Sequence, residues 1–377
     1  MSVRACTLGA VAVLYLGVVS PAEAVVKAPG YFAGPKVAGG GLLWAAAEGV
    51  FLTTRTDTRL LVRDAGLSAV NVEDGWVVVT EGSGPKVGRI GRRLRTVRRL
   101  HRCPPILGYR EGERVEAVAN GNLYAVVRAT CLGRRPRSAQ FLVRVRLGTG
   151  DLHVIGRVPS GAISLAAAGS RLTLTYETGA RPTYEALAGS RVRVEVVDSR
   201  NGRLLYRLAP PPGERGSYLD TQLDAKGDVL VTSRRDSPLP GLSEAFGWLG
   251  TSGMRVSRPL ESESSGRGSL SEGRIAYATS RKGETSIDVL NLATGKTRTI
   301  VTFSGSVHPE GLALGNNVLA WAQQRSAYQL AAGGCVGLYA VGPAELTATP
   351  LSATGLPIAV KANPGTPPAG RSCPPPP

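Results

Sequence analysis

Glu116-Ala-Val-Ala-Asn-Gly121-Asn-Leu-Tyr-Ala-Val126 and Gln222-Leu-Asp-Ala-Lys-Gly227-Asp-Val-Leu-Val-Thr232 are two copies of one pattern: a short apolar strand, a glycine turn, and a second strand rich in Val, Leu and Thr. Five more copies are read at Trp44–Thr54, Val70–Thr80, Ser164–Thr175, Gly268–Thr279 and Glu310–Trp321. Their marker glycines are Gly49, Gly75, Gly121, Gly169, Gly227, Gly273 and Gly315, with intervals of 26, 46, 48, 58, 46 and 42 residues. All but the first interval suit a four-stranded unit with its turns, and self-similarity at such a period is the mark of a repeat architecture.

Several units carry a second hairpin. In Val192–Leu208 the Asn201-Gly202 pair turns two alternating strands, and Leu142–Ile155 and Ile287–Ile300 repeat the arrangement around Gly150 and Gly295. Two hairpins make one small sheet with two apolar faces, which cannot bury both by itself; stacking such sheets around an axis completes the core. With 48 Gly, 26 Pro and 42% hydrophobic residues in 377, the composition agrees with short strands and turns and argues against a disordered chain. The fold expected is all-β, a β-propeller of seven blades, or six if the first two half-units form one.

At these repeats the sequence resembles the bacterial β-propellers of the TolB-like and WD40-like group, over roughly residues 38 to 352. The resemblance implies radial blades around a central channel with ligands received at its mouth. The short first interval predicts an incomplete first blade, completed by a late strand near Leu356 to Lys361.

The ends read differently. Arg4, an apolar run from Thr7 to Val19, and Ser20-Pro21-Ala22-Glu23-Ala24 form a secretory signal with an Ala-x-Ala cleavage site, so a mature chain is expected from Val25. The run is too short to span a bilayer, and no transmembrane span is expected elsewhere. Residues 1–24 are thus the signal, 25–362 the propeller and 363–377 a Pro-rich, polyproline-like tail, either a spacer or ligand for a partner or an end without a role. Four cysteines survive cleavage, Cys103, Cys131, Cys335 and Cys373, an even number in a chain bound for an oxidising compartment, which favours two disulfides. Three pairings exist; proximity in the chain favours Cys103 with Cys131 and Cys335 with Cys373. No metal site is expected, because no Cys-x-x-Cys occurs and His numbers only 3.

Chemistry is sparse. No Gly-x-Ser-x-Gly elbow and no His-Glu-x-x-His motif occurs, and no cofactor is expected. Counting back five residues from the marker glycines places Glu116, Ser164, Gln222, Gly268 and Glu310 where inner strands begin, with Asp220 and His308 in the same register. Glu116, Asp220, His308 and Glu310 could therefore run acid–base chemistry at the channel mouth, as in a lyase or hydrolase; the preferred reading is that these are polar strand ends wetted by channel water.

Positive charge is the stronger feature. Lys+Arg 45 against Asp+Glu 28 gives +17, unchanged by cleavage, which removes one Arg and one Glu. Lys86, Arg89, Arg92, Arg93, Arg95, Arg98, Arg99 and Arg102 fall within seventeen residues without an acidic neighbour, and Arg134, Arg135 and Arg137 follow in the next repeat. A Cys103–Cys131 bridge would bring the two segments together. Such a patch suits a polyanion, held by screened, salt-sensitive contacts in which planar guanidinium favours phosphate and carboxylate. Arg excess with abundant Ala, Gly and Pro also follows from GC-rich coding. Aromatic residues at 5% offer few stacking platforms and disfavour nucleic acid. The reading is a secreted, monomeric, non-enzymatic propeller that binds a protein or polyanion of the envelope or extracellular space, with a propeller enzyme as the alternative.

Overall fold

A computed structural model describes the strands and short turns between residues 24 and 361. Residues 1–23, 26–32, 64–68, 101–115, 135–138, 179–190, 209–216, 237–242, 251–258, 262–267, 331–335, 341–344, 352–357 and 362–377, with further stretches of one or two residues, lie outside the described set. The expected signal segment up to residue 23, the expected Pro-rich tail, Arg99, Arg102, Arg135, Arg137, Cys103, Cys335 and Cys373 fall there. Cys131 is described only as backbone, in a short 3-10 helix Ala129–Leu132.

The fold is an all-β propeller. Among the described residues, strands pair into six four-stranded sheets and one six-stranded sheet. In chain order, sheet I is Ala33–Ala38, Gly41–Ala46, Gly49–Thr53 and Thr58–Val62. Sheet II is Ala69–Glu73, Trp76–Glu81, Gly84–Arg89 and Arg95–Thr96. Sheet III runs from Glu116–Ala119 through Asn122–Arg128 and Gln140–Arg146 to Leu152–Val158. Sheet IV runs from Ala162–Ala168 to Leu204–Leu208, sheet V from Ser217–Leu223 to Pro259–Glu261, and sheet VI from Ser269–Ser271 to Thr297–Ser304. Sheet VII starts at Val307–Gly315. In every four-stranded sheet the strands follow one another antiparallel in sequence order. The first strand of each sheet touches the first strand of the next, and Val307–Gly315 lies against Ala33–Ala38, so the ring closes on sheet I.

Alternation explains the stacking. Successive side chains of a strand point to opposite faces, and both faces of these sheets are covered, so the strands read as near-continuous apolar runs. In Trp76–Glu81, Val77 and Val79 pack with Leu43, Val50 and Leu52 of sheet I, whereas Val78 packs with Leu123, Val143 and Val145 of sheet III. Equivalent apolar clusters join III to IV, IV to V, V to VI and VI to VII. Each such buried Val or Leu contributes roughly 1.5–3 kcal/mol.

Hydrogen bonds between the first turns of neighbouring sheets fix one face of the ring. Asn120 Nδ2 donates to Gly169 O (2.5 Å), Arg171 Nη1 to Ala225 O (3.1 Å), Gly273 N to Asp224 Oδ2 (2.9 Å) and Arg274 Nη1 to Asn317 Oδ1 (2.8 Å). Asp224 is 4% exposed, and its Oδ1 also accepts from the amides of Lys226, Gly227 and Asp228. One buried carboxylate thus organises its own turn and holds the next sheet.

Closure corrects the sequence reading. Sheet I has four strands of its own, and the late strand Ile358–Lys361 pairs with Glu345–Pro350 in sheet VII. Ala24–Val25 adds to its outer edge in parallel, opposite Val360 and Lys361, so the first and last described strands do meet, but in the last sheet. The reason is register. Gly49 turns the second strand of sheet I into its third, whereas every other marker glycine follows a first strand; the equivalent turn of sheet I falls between Ala38 and Gly41. No helix among the described residues is long and apolar enough to cross a membrane.

Candidate functional site

The channel is a cavity of about 590 Å³ to which every inner strand contributes, through residues such as Lys36, Val72, Val118, Ala167, Gln222, Ser269 and Leu314. These residues lie toward the ends of the inner strands, beside the short first turns. Its polar groups are largely committed to structure. Gln222 Nε2 donates to Gly268 O (2.7 Å) and Gln222 Oε1 accepts from Leu270 N (2.8 Å), tying sheet V to sheet VI.

Two of the four acid–base candidates, Glu116 and Asp220, have described side chains. Glu116 and Asp220 are 8% and 3% exposed, stand at the start and in the middle of their strands, and do not line the channel cavity. Inner-strand side chains point toward neighbouring sheets rather than the axis, so a position early in the strand becomes interior. Gln222 Nε2 also reaches Asp220 Oδ2 at 3.3 Å. His308 pairs with Gln324, and Glu310 occupies the bulge between Pro309 and Gly311, where the count placed them; their side chains lie outside the described set. Among the described residues no group of His, Cys, Asp and Glu could hold a metal ion.

Beside the channel, the turn of sheet V carries one perturbed acid. Burial, and secondarily the charge of Asp224, raises the pKa of Asp228, against the opposing pull of Lys226 and Arg171. A carboxyl that binds its proton more tightly when folded loses stability as pH rises from the ordinary value near 4 through the raised one. Asp228→Asn is therefore expected to raise the melting temperature at pH 7, with the gain shrinking toward pH 4. Thermal melts of both proteins across that range check the sign.

The basic segment forms the second site. Strand Arg95–Thr96 is the outer strand of sheet II, and Arg95 Nη2 crosses to sheet III to donate to Leu147 O at 2.7 Å. Between the two sheets lies a groove of about 300 Å³, lined by Arg95, Thr96, Arg98, Arg146, Thr149 and Asp151 over Val87, Val97, Val145 and Leu147. Arg92 and Arg93 are exposed just before it. Arg89 lies 4.6 Å from the centre of the Trp76 ring and Arg134 5.4 Å from that of Phe141, and Lys86 sits half-buried in strand Gly84–Arg89. Arg134 stands at the opposite end of strand Gln140–Arg146 from the groove. Leu100 and Leu132 pack against one cluster, so the chain leaving Arg98 enters the interface that also receives the segment before Arg134. The cysteine pairing itself lies outside the described residues.

Two charged residues of the groove escaped the sequence reading, Arg146 and Asp151. Both flank the turn Leu147-Gly-Thr-Gly150, legible as a hairpin but not as a neighbour of Arg95 and Arg98, some fifty residues earlier. Gly150 has φ +77° and supplies the bend that presents both residues on one lip.

No protein-family model matches this chain, and no curated protein matches it. Among solved structures, it is similar to the β-propeller domain of the trilobed protease from Pyrococcus furiosus, at 7% identity over 82% of this chain and 94% of that one, with a TM-score of 0.49. It is also similar to TolB from Acinetobacter baumannii (9% identity, 70% of this chain, 60% of that one, TM-score 0.37). A third is an oligogalacturonate lyase in complex with manganese (10% identity, 79% and 84%, TM-score 0.43). At such identities nothing about activity passes from them to this chain.

Proposed function

We propose that this chain is a secreted, non-enzymatic propeller that binds a polyanionic partner of the cell envelope or extracellular space through the groove between sheets II and III. The observation that carries the reading is the convergence of Arg95, Arg98 and Arg146 on one groove, with Arg92 and Arg93 exposed three and two residues before Arg95 in the chain. Guanidinium forks suit phosphate and carboxylate, and contacts of this kind weaken as salt rises.

Secretion rests on the N-terminal signal. Cleavage after Ala24 would leave Val25, the partner of Lys361, as the first residue of the closing strand. The test is purification of the protein from the source cell's envelope and secreted fractions. Its N-terminus is expected at Val25, its four cysteines without free thiol, and its partner retained at low salt and released at high salt. An intact N-terminus on a cell-internal protein would end the secretion reading, and a salt-resistant partner would end the electrostatic one. His308→Ala with Glu310→Gln is expected to leave capture unaltered.

A further inference from the structure

The groove contains more than positive charge. Asp151 lies on its lip, and Thr149 Oγ1 donates to Asp151 Oδ2 at 2.6 Å, fixing the carboxylate and leaving Oδ1 without a hydrogen bond among the described residues. A site built only to attract negative charge gains nothing from a carboxylate beside its guanidiniums, since the two signs cancel part of the field. A carboxylate is, however, a strong acceptor for hydroxyl donors. Thr96 and Thr149 add hydroxyls. Below them Val97 and Leu147, 8% and 2% exposed, form an apolar floor that suits the C–H face of a sugar ring. None of the described lining residues is aromatic, so the groove has no platform for a base. Among the described residues the large exposed hydrophobic ones, Leu60, Leu204 and Leu205, lie on sheets I and IV, so no described apolar side chain at the groove is placed to enter a bilayer.

We infer that the groove is a subsite for an anionic sugar: its acid group is taken by Arg95, Arg98 and Arg146, and a ring hydroxyl donates to Asp151. The polymer recognised is then an acidic glycan, and the inference rests on the polyanion reading of the same groove. At about 300 Å³ the groove is at the lower limit of ordinary ligand sites, of roughly 300–1,000 Å³, which suits one or two sugar units with the rest of the chain running past Arg92 and Arg93.

Asp151→Ala separates this from a bare charge patch because the two predict opposite signs. The full-length protein is titrated with alginate, a polyuronate rich in hydroxyls, and with inorganic polyphosphate, which has none along its chain. Asp151→Ala is expected to weaken alginate binding about tenfold, the scale of one charge-assisted hydrogen bond, and to strengthen polyphosphate binding about twofold. Asp151→Asn, which retains an acceptor for Thr149, should fall between wild type and Ala on alginate, and guards against a folding defect. If Asp151→Ala strengthens alginate as it does polyphosphate, or if the wild type binds polyphosphate and not alginate, the sugar subsite is wrong while the polyanion reading stands. If the wild type binds neither, the polyanion reading itself fails.

Discussion

The variant Arg92→Glu, Arg93→Glu, Arg98→Glu, Arg146→Glu is expected to lose polyanion binding by at least about 100-fold at low salt while its melting temperature shifts by no more than a few degrees. All four side chains are exposed, so reversing them removes favourable field and adds repulsion without opening the core. Arg95 is left intact on purpose, because its bond to Leu147 O ties sheet II to sheet III and its loss would mix stability with affinity. The measurement is a titration with polyphosphate at 50 mM salt beside a thermal melt. Retained affinity in a folded variant would place the binding surface elsewhere on the ring.

Gly49→Ala should destabilise the protein by about 4 kcal/mol or more, enough to remove much of the margin of an ordinary domain. Gly49 has φ +144°, which side chains rarely adopt, and a Cβ built there would lie 1.9 Å from the carbonyl oxygen of Val62 and 2.9 Å from a methyl of Leu60. The clash is with backbone of the neighbouring strand, so no rotamer relieves it. Gly150→Ala is the control: φ is +77° but nothing lies within 4 Å of the added atom, and only the conformational cost of about 1–2 kcal/mol is expected. Denaturant titration of the two variants gives the difference directly.

The same glycine shows how far the repeat could be read. Turns between first and second strands, and turns between second and third, both join two apolar strands through glycine, so the local pattern at Gly49 matched the wrong turn. The architecture survived this because it depends on strand number and two-sided burial, which runs such as Val77-Val78-Val79 announce without reference to register. The closing strand did not survive it, since its place depended on which sheet lacked a member. The acid–base candidates were placed by the same kind of count. The count met the start of a strand at Glu116 but the middle and far end of one at Asp220 and Gln222, and Glu116 and Asp220 are buried, a property that leaves no spacing in the chain. The basic groove was half legible: Arg95 and Arg98 stand in an obvious run, whereas Arg146 and Asp151 join them only through the packing of sheet III on sheet II. Asp224, whose carboxylate bonds four backbone amides, gave no signal beyond an acidic residue before a turn.

The central claim is that the groove between sheets II and III captures polyanions through its arginines. It is tested most directly by the affinity of the full chain for polyphosphate between 50 and 200 mM salt. Five guanidinium contacts, from Arg92, Arg93, Arg95, Arg98 and Arg146, predict a logarithmic slope of about −4 and a loss of roughly 200-fold across that interval, with the slope nearly abolished in the fourfold Glu variant. Affinity independent of salt, or a slope that the variant leaves unchanged, would contradict it.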